Sequence, residues 1–194
     1  MDEMEILIQK NDCITPEIAR KNGISKYKFY KYVHENGLEA VSRGIYSTSS
    51  DWIDELYVLH KRCPNAIFSH DESFYYHGLT DREPLIHTLT IYSGYNAHRL
   101  KANENCKVYT VKRELLDVGK DIVKDNDGNT IPMYNLERTI CDLIRSRSNI
   151  EIQDFNSVLK NYISRKDKDL NRLMEYGKLF KIDNVIRRYM KVLL

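Results

Sequence analysis

Apolar positions along this chain follow a helical period at both ends, with alternating or short apolar runs between them. Residues 15–47 read TPEIARKNGISKYKFYKYVHENGLEAVSRGIYS. Thr15 offers an N-cap oxygen, and Pro16 takes the first helical position, where a missing N–H costs nothing. A short helix is predicted over 17–22, stopped at Gly23, which adopts the positive φ of a tight turn at no steric cost. Ser25 caps a second helix over 26–36, closed by Gly37. There Phe29, Tyr32 and Val33 recur at i, i+3, i+4 and would face the first helix, with Ile24 packing from the turn. Residues 38–41 and 45–47 are short strand candidates joined across Ser42-Arg43-Gly44. Helix, turn, helix and hairpin in that order predict a winged helix-turn-helix, which usually docks a helix in duplex DNA.

After a polar break at Thr48–Asp51, the apolar stripe Ile53, Leu56, Tyr57, Leu59 predicts a helix over 52–62, ended by Pro64. Residues 66–68 read as a short strand. Ser69 and Glu72 form an S-x-x-E capping box that would start a helix over 70–77, closed by Gly78. Residues 85–92 (LIHTLTIY) and 107–112 (KVYTVK) read as strands. Segments 122–124 and 130–134 flank DNDGN and predict a hairpin with Gly128 at its tip. Asn135 caps a helix over 136–147 whose buried face is marked by Ile140, Leu143 and Ile144. Three further amphipathic helices succeed it over 152–163, 170–180 and 185–194.

The pattern therefore predicts an α+β protein of two domains. Residues 1–48 form a winged helix-turn-helix. Residues 49–194 form an α+β domain with a small mixed or antiparallel sheet (65–134) and a C-terminal helical bundle (135–194).

Composition narrows the function. The chain has 194 residues, 42% hydrophobic content and a net charge of +2, so nucleic-acid contact would have to come from local patches. Charge is segregated: residues 1–19 sum to −4 and residues 20–43 to +4. The outward face of the second helix carries Lys26, Tyr27, Lys28, Tyr30, Lys31 and His34. Lysine suits phosphate or guanine acceptors, and a tyrosine hydroxyl reaches phosphate or a base edge. With Ser25 at the cap and Ser42 and Arg43 at the hairpin tip, these are the candidate DNA contacts. Residues 160–194 carry ten Lys or Arg against four Asp or Glu. Within them Lys160, Arg165, Lys166, Arg172, Lys181, Arg187 and Arg188 form a candidate second basic surface, for DNA phosphates or RNA, although such faces are commonly just solvated.

No apolar run reaches membrane-spanning length, and the start MDEMEILIQ lacks the basic residues and apolar stretch of a signal peptide. Cys13, Cys63, Cys106 and Cys141 are scattered without a C-x-x-C pair, and read as reduced, mostly buried thiols. A cytoplasmic location is expected. There is no Gly-rich phosphate loop, no G-x-S-x-G and no H-E-x-x-H, so neither catalysis nor a cofactor is expected. His70 and His77 lie seven apart, too far for an i, i+4 metal pair, and no metal is expected. Arg138 and Asp142 sit at i, i+4 and can pair, which favours an ion pair locking their helix to the sheet; a functional surface is the alternative.

With these residues laid out, the chain resembles the AbiEi family of antitoxins from type IV, abortive-infection toxin–antitoxin systems. The shared elements are G-I-S at 23–25, R-G-I-Y at 43–46, SFYYHGLTDREP at 73–84, TLTIY at 88–92 and, most specifically, MYNLERTICDLI at 133–144. The resemblance implies a phage-defence protein whose winged helix represses its own operon at operator DNA, expected to hold inverted repeats. It also implies a second domain that counteracts a nucleotidyltransferase-like toxin without a stable complex. Glu137, Arg138, Thr139 and Asp142 would mark that antitoxin domain, with no chemical role assigned. Two half-sites would invite a dimer, yet no heptad or dimer helix shows, and a monomer in solution is compatible with the sequence. The alternative reading is a winged-helix transcription factor with a ligand-sensing second domain.

Overall fold

Local chemistry sets the first turn of the chain's opening helices. In the computed structural model, which describes residues 3–11, 13–42, 44–47, 54–96, 100, 105–125 and 128–193, Thr15 accepts the Ile18 N–H at 3.1 Å. Pro16 begins the helix after it. The described residues form a mixed α+β protein with two small sheets. By their contacts they divide into Met1–Pro64 with Lys124–Thr130, and Asn65–Val123 with Ile131–Leu194. The predicted break at 48–51 lies outside the described residues, as do Trp52 and Ile53 of the predicted helix. The remainder of that helix, α4 (Glu55–Arg62), belongs to the first unit.

The first unit runs α1 (Glu3–Gln9), β1 (Cys13–Ile14), α2 (Pro16–Lys21), α3 (Lys26–Glu35), β2 (Ala40–Ser42), β3 (Ile45–Ser47) and α4. Gly23 takes φ +80° between α2 and α3, and the Ile24 N–H returns to Ala19 O at 2.9 Å. Ser25 then accepts the Lys28 N–H at 3.2 Å as the cap of α3. Phe29 and Val33 are buried with Ile24, Ala19, Ile14, Met4 and Leu7 in one apolar core, with Tyr32 packed at its margin. The helix periodicity read from the sequence thus selects the observed inner face. The strands make an antiparallel sheet in the order β1-β3-β2, with Cys13 opposite Ser47 and Ala40 opposite Tyr46. β2 begins two residues later than its pattern suggests.

The second unit is built on a five-stranded sheet in the order β6-β5-β4-β8-β7: β4 (Ile67–Phe68), β5 (His87–Tyr92), β6 (Cys106–Val111), β7 (Lys120–Lys124) and β8 (Thr130–Tyr134). The sheet is mixed. β4 is antiparallel to β5 and parallel to β8, while β5 and β6 run parallel from His87/Cys106 to Tyr92/Val111. Helices α5 (Asp71–Tyr76) and α6 (Arg113–Leu116) lie within this run. The bundle comes next as α7 (Leu136–Arg145), a 3-10 turn at Arg147–Asn149, α8 (Ile152–Ser164), α9 (Leu170–Leu179) and α10 (Asp183–Leu193). Its core holds Ile140, Leu143, Phe155, Val158, Leu159, Tyr162, Leu173 and Ile186, joined by Phe74 and Leu79.

Two expectations need correction. Ser69 and Glu72 do not form a capping box: the residue before α5 is His70, which makes no side-chain cap. The Glu72 N–H goes instead to Thr88 Oγ1 on β5 at 3.1 Å, while the Glu72 carboxylate holds His87 Nδ1 at 2.6 Å. A strand neighbour supplies the acceptor that the local motif would have offered. Helix α7 is likewise buried on every side from Leu136 to Ile144, not along an apolar stripe alone. Glu137, Arg138, Thr139 and Asp142 are therefore interior.

Candidate functional site

Capping and packing of α3 decide which of its side chains reach solvent. With Phe29 and Val33 inward, Lys26, Tyr27, Tyr30, Lys31, His34 and Glu35 line an open depression along the opposite side. Tyr27 is 78% exposed. Tyr30 is steadied by edge contacts to Phe29 at 5.3 Å and Tyr46 at 6.2 Å, and carries Lys26 Nζ over its ring at 5.9 Å. Lys28 pairs with Glu3 at 3.3 Å and Lys31 with Glu35 at 3.7 Å. Such solvent-exposed pairs contribute at most about 1 kcal/mol and yield readily to a phosphate. Ser25 is spent on capping, though exposed, and Ser42 is half-buried at the end of β2. Arg43 lies outside the described residues.

The MYNLERTICDLI segment becomes an interior network. Asn135 caps α7 through the Arg138 N–H at 3.0 Å and donates to the Tyr176 hydroxyl at 3.2 Å. Arg138 has no solvent exposure. Its Nε donates to Asp142 at 3.1 Å, and its Nη1 donates to Leu115 O and Val118 O at 2.9 and 2.6 Å. Nη2 has no hydrogen-bond partner among the described residues. The guanidinium packs instead on the rings of Tyr134 and Phe180, at 3.8 and 4.3 Å. Burying a cation this fully requires near-complete pairing, and Gly119 makes room for it, since a Cβ there would collide with Arg138 Cβ. Glu137 accepts the Asp169 N–H at 2.9 Å and faces Arg172 at 3.9 Å. Thr139 donates to Asn135 O at 2.8 Å. All four motif residues are thus buried and hold α7 in place; they present no surface to a partner.

Asp142 also receives Arg145 Nη1 at 2.8 Å, which brings a partly exposed guanidinium to the mouth of a second feature. His70 is buried at φ +52° and ψ −119°, a conformation side chains rarely adopt. Its ring stacks on Tyr109 at 3.4 Å, its Nδ1 meets Ser69 Oγ at 3.0 Å, and its Nε2 meets Ser146 Oγ at 2.9 Å. Burial pulls its pKa down to about 4, against the pull of Asp142. His77 bonds the Tyr134 carbonyl at 2.8 Å, and burial lowers its pKa too. The two histidines therefore serve separate partners. Among the described residues no group of three His, Cys, Asp or Glu is placed to hold a metal ion. Cys13, Cys63 and Cys141 are buried.

The C-terminal cations divide. Arg165 forms a two-bond pair with Asp167 at 2.8 and 2.7 Å and donates to His77 O at 2.6 Å. Arg172 faces Glu137 and Asp169. Both are held by these partners, although Arg172 is itself exposed; Lys160, Lys166, Lys181, Arg187 and Arg188 are exposed as well. No helix among the described residues is long and apolar enough to cross a membrane. Compared by sequence, the chain matches no family model and no curated protein.

Proposed function

We propose that this chain is an autoregulatory antitoxin of the AbiEi kind, whose first unit is a winged helix-turn-helix that reads operator DNA. The observation that carries the DNA reading is the outer side of α3, where Lys26, Tyr27, Tyr30 and Lys31 stand exposed on a helix anchored by Phe29 and Val33. In this reading α3 enters the major groove. Tyr27 and Lys26 meet base edges or phosphates, Lys28 and Lys31 exchange their carboxylate partners for phosphates, and the β2–β3 hairpin lies along the backbone. The antitoxin reading rests on the resemblance of residues 133–144 and 73–92. The buried network around Arg138 refines it: the motif shapes the second unit, and any antitoxic contact would come from other surfaces, such as the exposed cations of α10.

A mobility-shift titration against the duplex upstream of the gene tests the first half. Lys26→Ala with Lys31→Ala is expected to weaken binding and to flatten the log–log salt dependence by roughly two units. Unchanged binding in that variant, and in Tyr27→Ala, would remove α3 as the reader. For the second half, the neighbouring toxin gene is co-expressed with the DNA-binding-deficient full-length chain. Growth rescue is expected; its absence, with the wild type rescuing, would tie antitoxicity to repression alone.

A further inference from the structure

The His70 cluster opens onto a cleft of about 380 Å³ in the second unit, within the span of small-molecule sites. Its polar side is formed by His70, Ser146 and Arg145, and its apolar side by Ile144, Phe180, Ile182 and Val185. The hydrogen-bond order fixes what these groups offer. The Thr90 hydroxyl donates to Ser69 Oγ at 2.8 Å. With Thr90 as that donor, the Ser69 proton goes to His70 Nδ1, and in this tautomer His70 carries its hydrogen on Nε2 and donates to Ser146 Oγ. In that tautomer His70 is no base for Ser146, whose own O–H is left to donate into the cleft. This is a binding arrangement and not a nucleophile–base pair.

Charge selects the ligand. Arg145 gives Nη1 to Asp142, and Phe180 lies under its guanidinium at 4.7 Å. Its remaining donors hold no hydrogen bond among the described residues. Around His70 stand the Asp142 carboxylate and the cations Arg145, Arg138 and Lys107, with the Asp71 carboxylate facing Lys107. A guanidinium oriented by a carboxylate and a ring, beside a spare hydroxyl donor, is suited to an oxyanion. The strained backbone at His70 places the imidazole that positions Ser146.

We propose that this cleft binds a small organic anion, with its phosphate or carboxylate on Arg145 and the Ser146 hydroxyl, and its apolar body against Ile144, Phe180, Ile182 and Val185. The site is independent of whether α3 binds DNA. Calorimetric titration of the full chain with adenosine monophosphate, benzoate and inorganic phosphate tests it, the first two separating phosphate from carboxylate heads. Either organic anion is expected to bind more tightly than inorganic phosphate. Arg145→Gln should weaken that binding at least tenfold. Val185→Trp, a substitution on the exposed rim that fills the cleft without touching the buried pairs, should do the same. Circular dichroism establishes that both variants are folded. No binding of any of the three probes overturns the proposal. So does equal affinity for inorganic phosphate and the organic anions, which removes the apolar wall, and so does binding that survives both substitutions, which places the ligand elsewhere.

Discussion

The Arg138–Asp142 pair lends itself to a double-mutant cycle whose outcome differs sharply between a coupled network and independent contacts. Replacing Asp142 with Leu leaves the guanidinium fully buried, with only the Leu115 and Val118 carbonyls to answer its charge. Breaking a buried pair from one side in this way costs about 3–5 kcal/mol. Arg138→Met leaves Asp142 still paired with Arg145 at 2.8 Å. Methionine also suits the aromatic surroundings supplied by Tyr134 and Phe180. The loss is then three hydrogen bonds, one to Asp142 and two to carbonyls, roughly 1 kcal/mol each, plus some packing. Asp142→Leu should therefore be the more damaging single change. In the double variant no buried cation remains, because Arg145 reaches solvent. The total is expected near that of the milder single change, a coupling of at least about 2 kcal/mol. Urea unfolding followed by circular dichroism at neutral pH measures all four corners. Additivity within about 0.5 kcal/mol, or a reversed order of the single variants, would refute the reasoning.

Three further outcomes are expected. Gly119→Ala should destabilise by more than about 2 kcal/mol, since φ +74° disfavours a side chain and the new Cβ runs into Arg138 Cβ; thermal melts within about 2 °C of wild type would contradict it. His70 has a folded pKa of about 4 against an ordinary value of 6.5, so the unfolded chain takes up the proton first as pH falls. The stability that neutral His70 contributes is complete above pH 6.5 and is lost between there and pH 4, by about 3 kcal/mol. His70→Asn, which tolerates positive φ better than most residues, should flatten that part of the stability–pH curve, and an unaltered slope would show the titrating group to be another. Thr15→Ala and Ser25→Ala each remove a helix cap and should cost about 1 kcal/mol in urea titrations, with no change as the disproof.

Features written in contiguous residues were legible in the sequence. The caps Thr15, Ser25 and Asn135 and the turn at Gly23 act within four residues of themselves, so their chemistry is visible in the string. The i, i+4 pairing of Arg138 with Asp142 was legible for the same reason. Its complete burial was not, because arginine and aspartate are ordinarily exposed and the groups that make burial tolerable come from residues 115, 118, 134 and 180. The capping box at Ser69 failed because Thr88, from a strand 16 residues past Glu72, competed for the same N–H. The cleft was invisible for a related reason: residues 70, 109, 145, 146 and 180 carry no shared spacing, and only the sheet and bundle bring them together.

The reach of Arg138 bears on when this chain can fold. Its partners span residues 115 to 180, so the sheet half and the helical half of the second unit share one charged joint. A growing chain that has exposed β4 to β8 still lacks the guanidinium that ties Leu115 and Val118, and the ring of Phe180 arrives later again. The first unit, with core contacts drawn largely from residues 4–46, can close while that joint is still being synthesised. Maturation of the second unit is thereby set to the last third of translation, and a fragment ending before Phe180 should remain open to proteases.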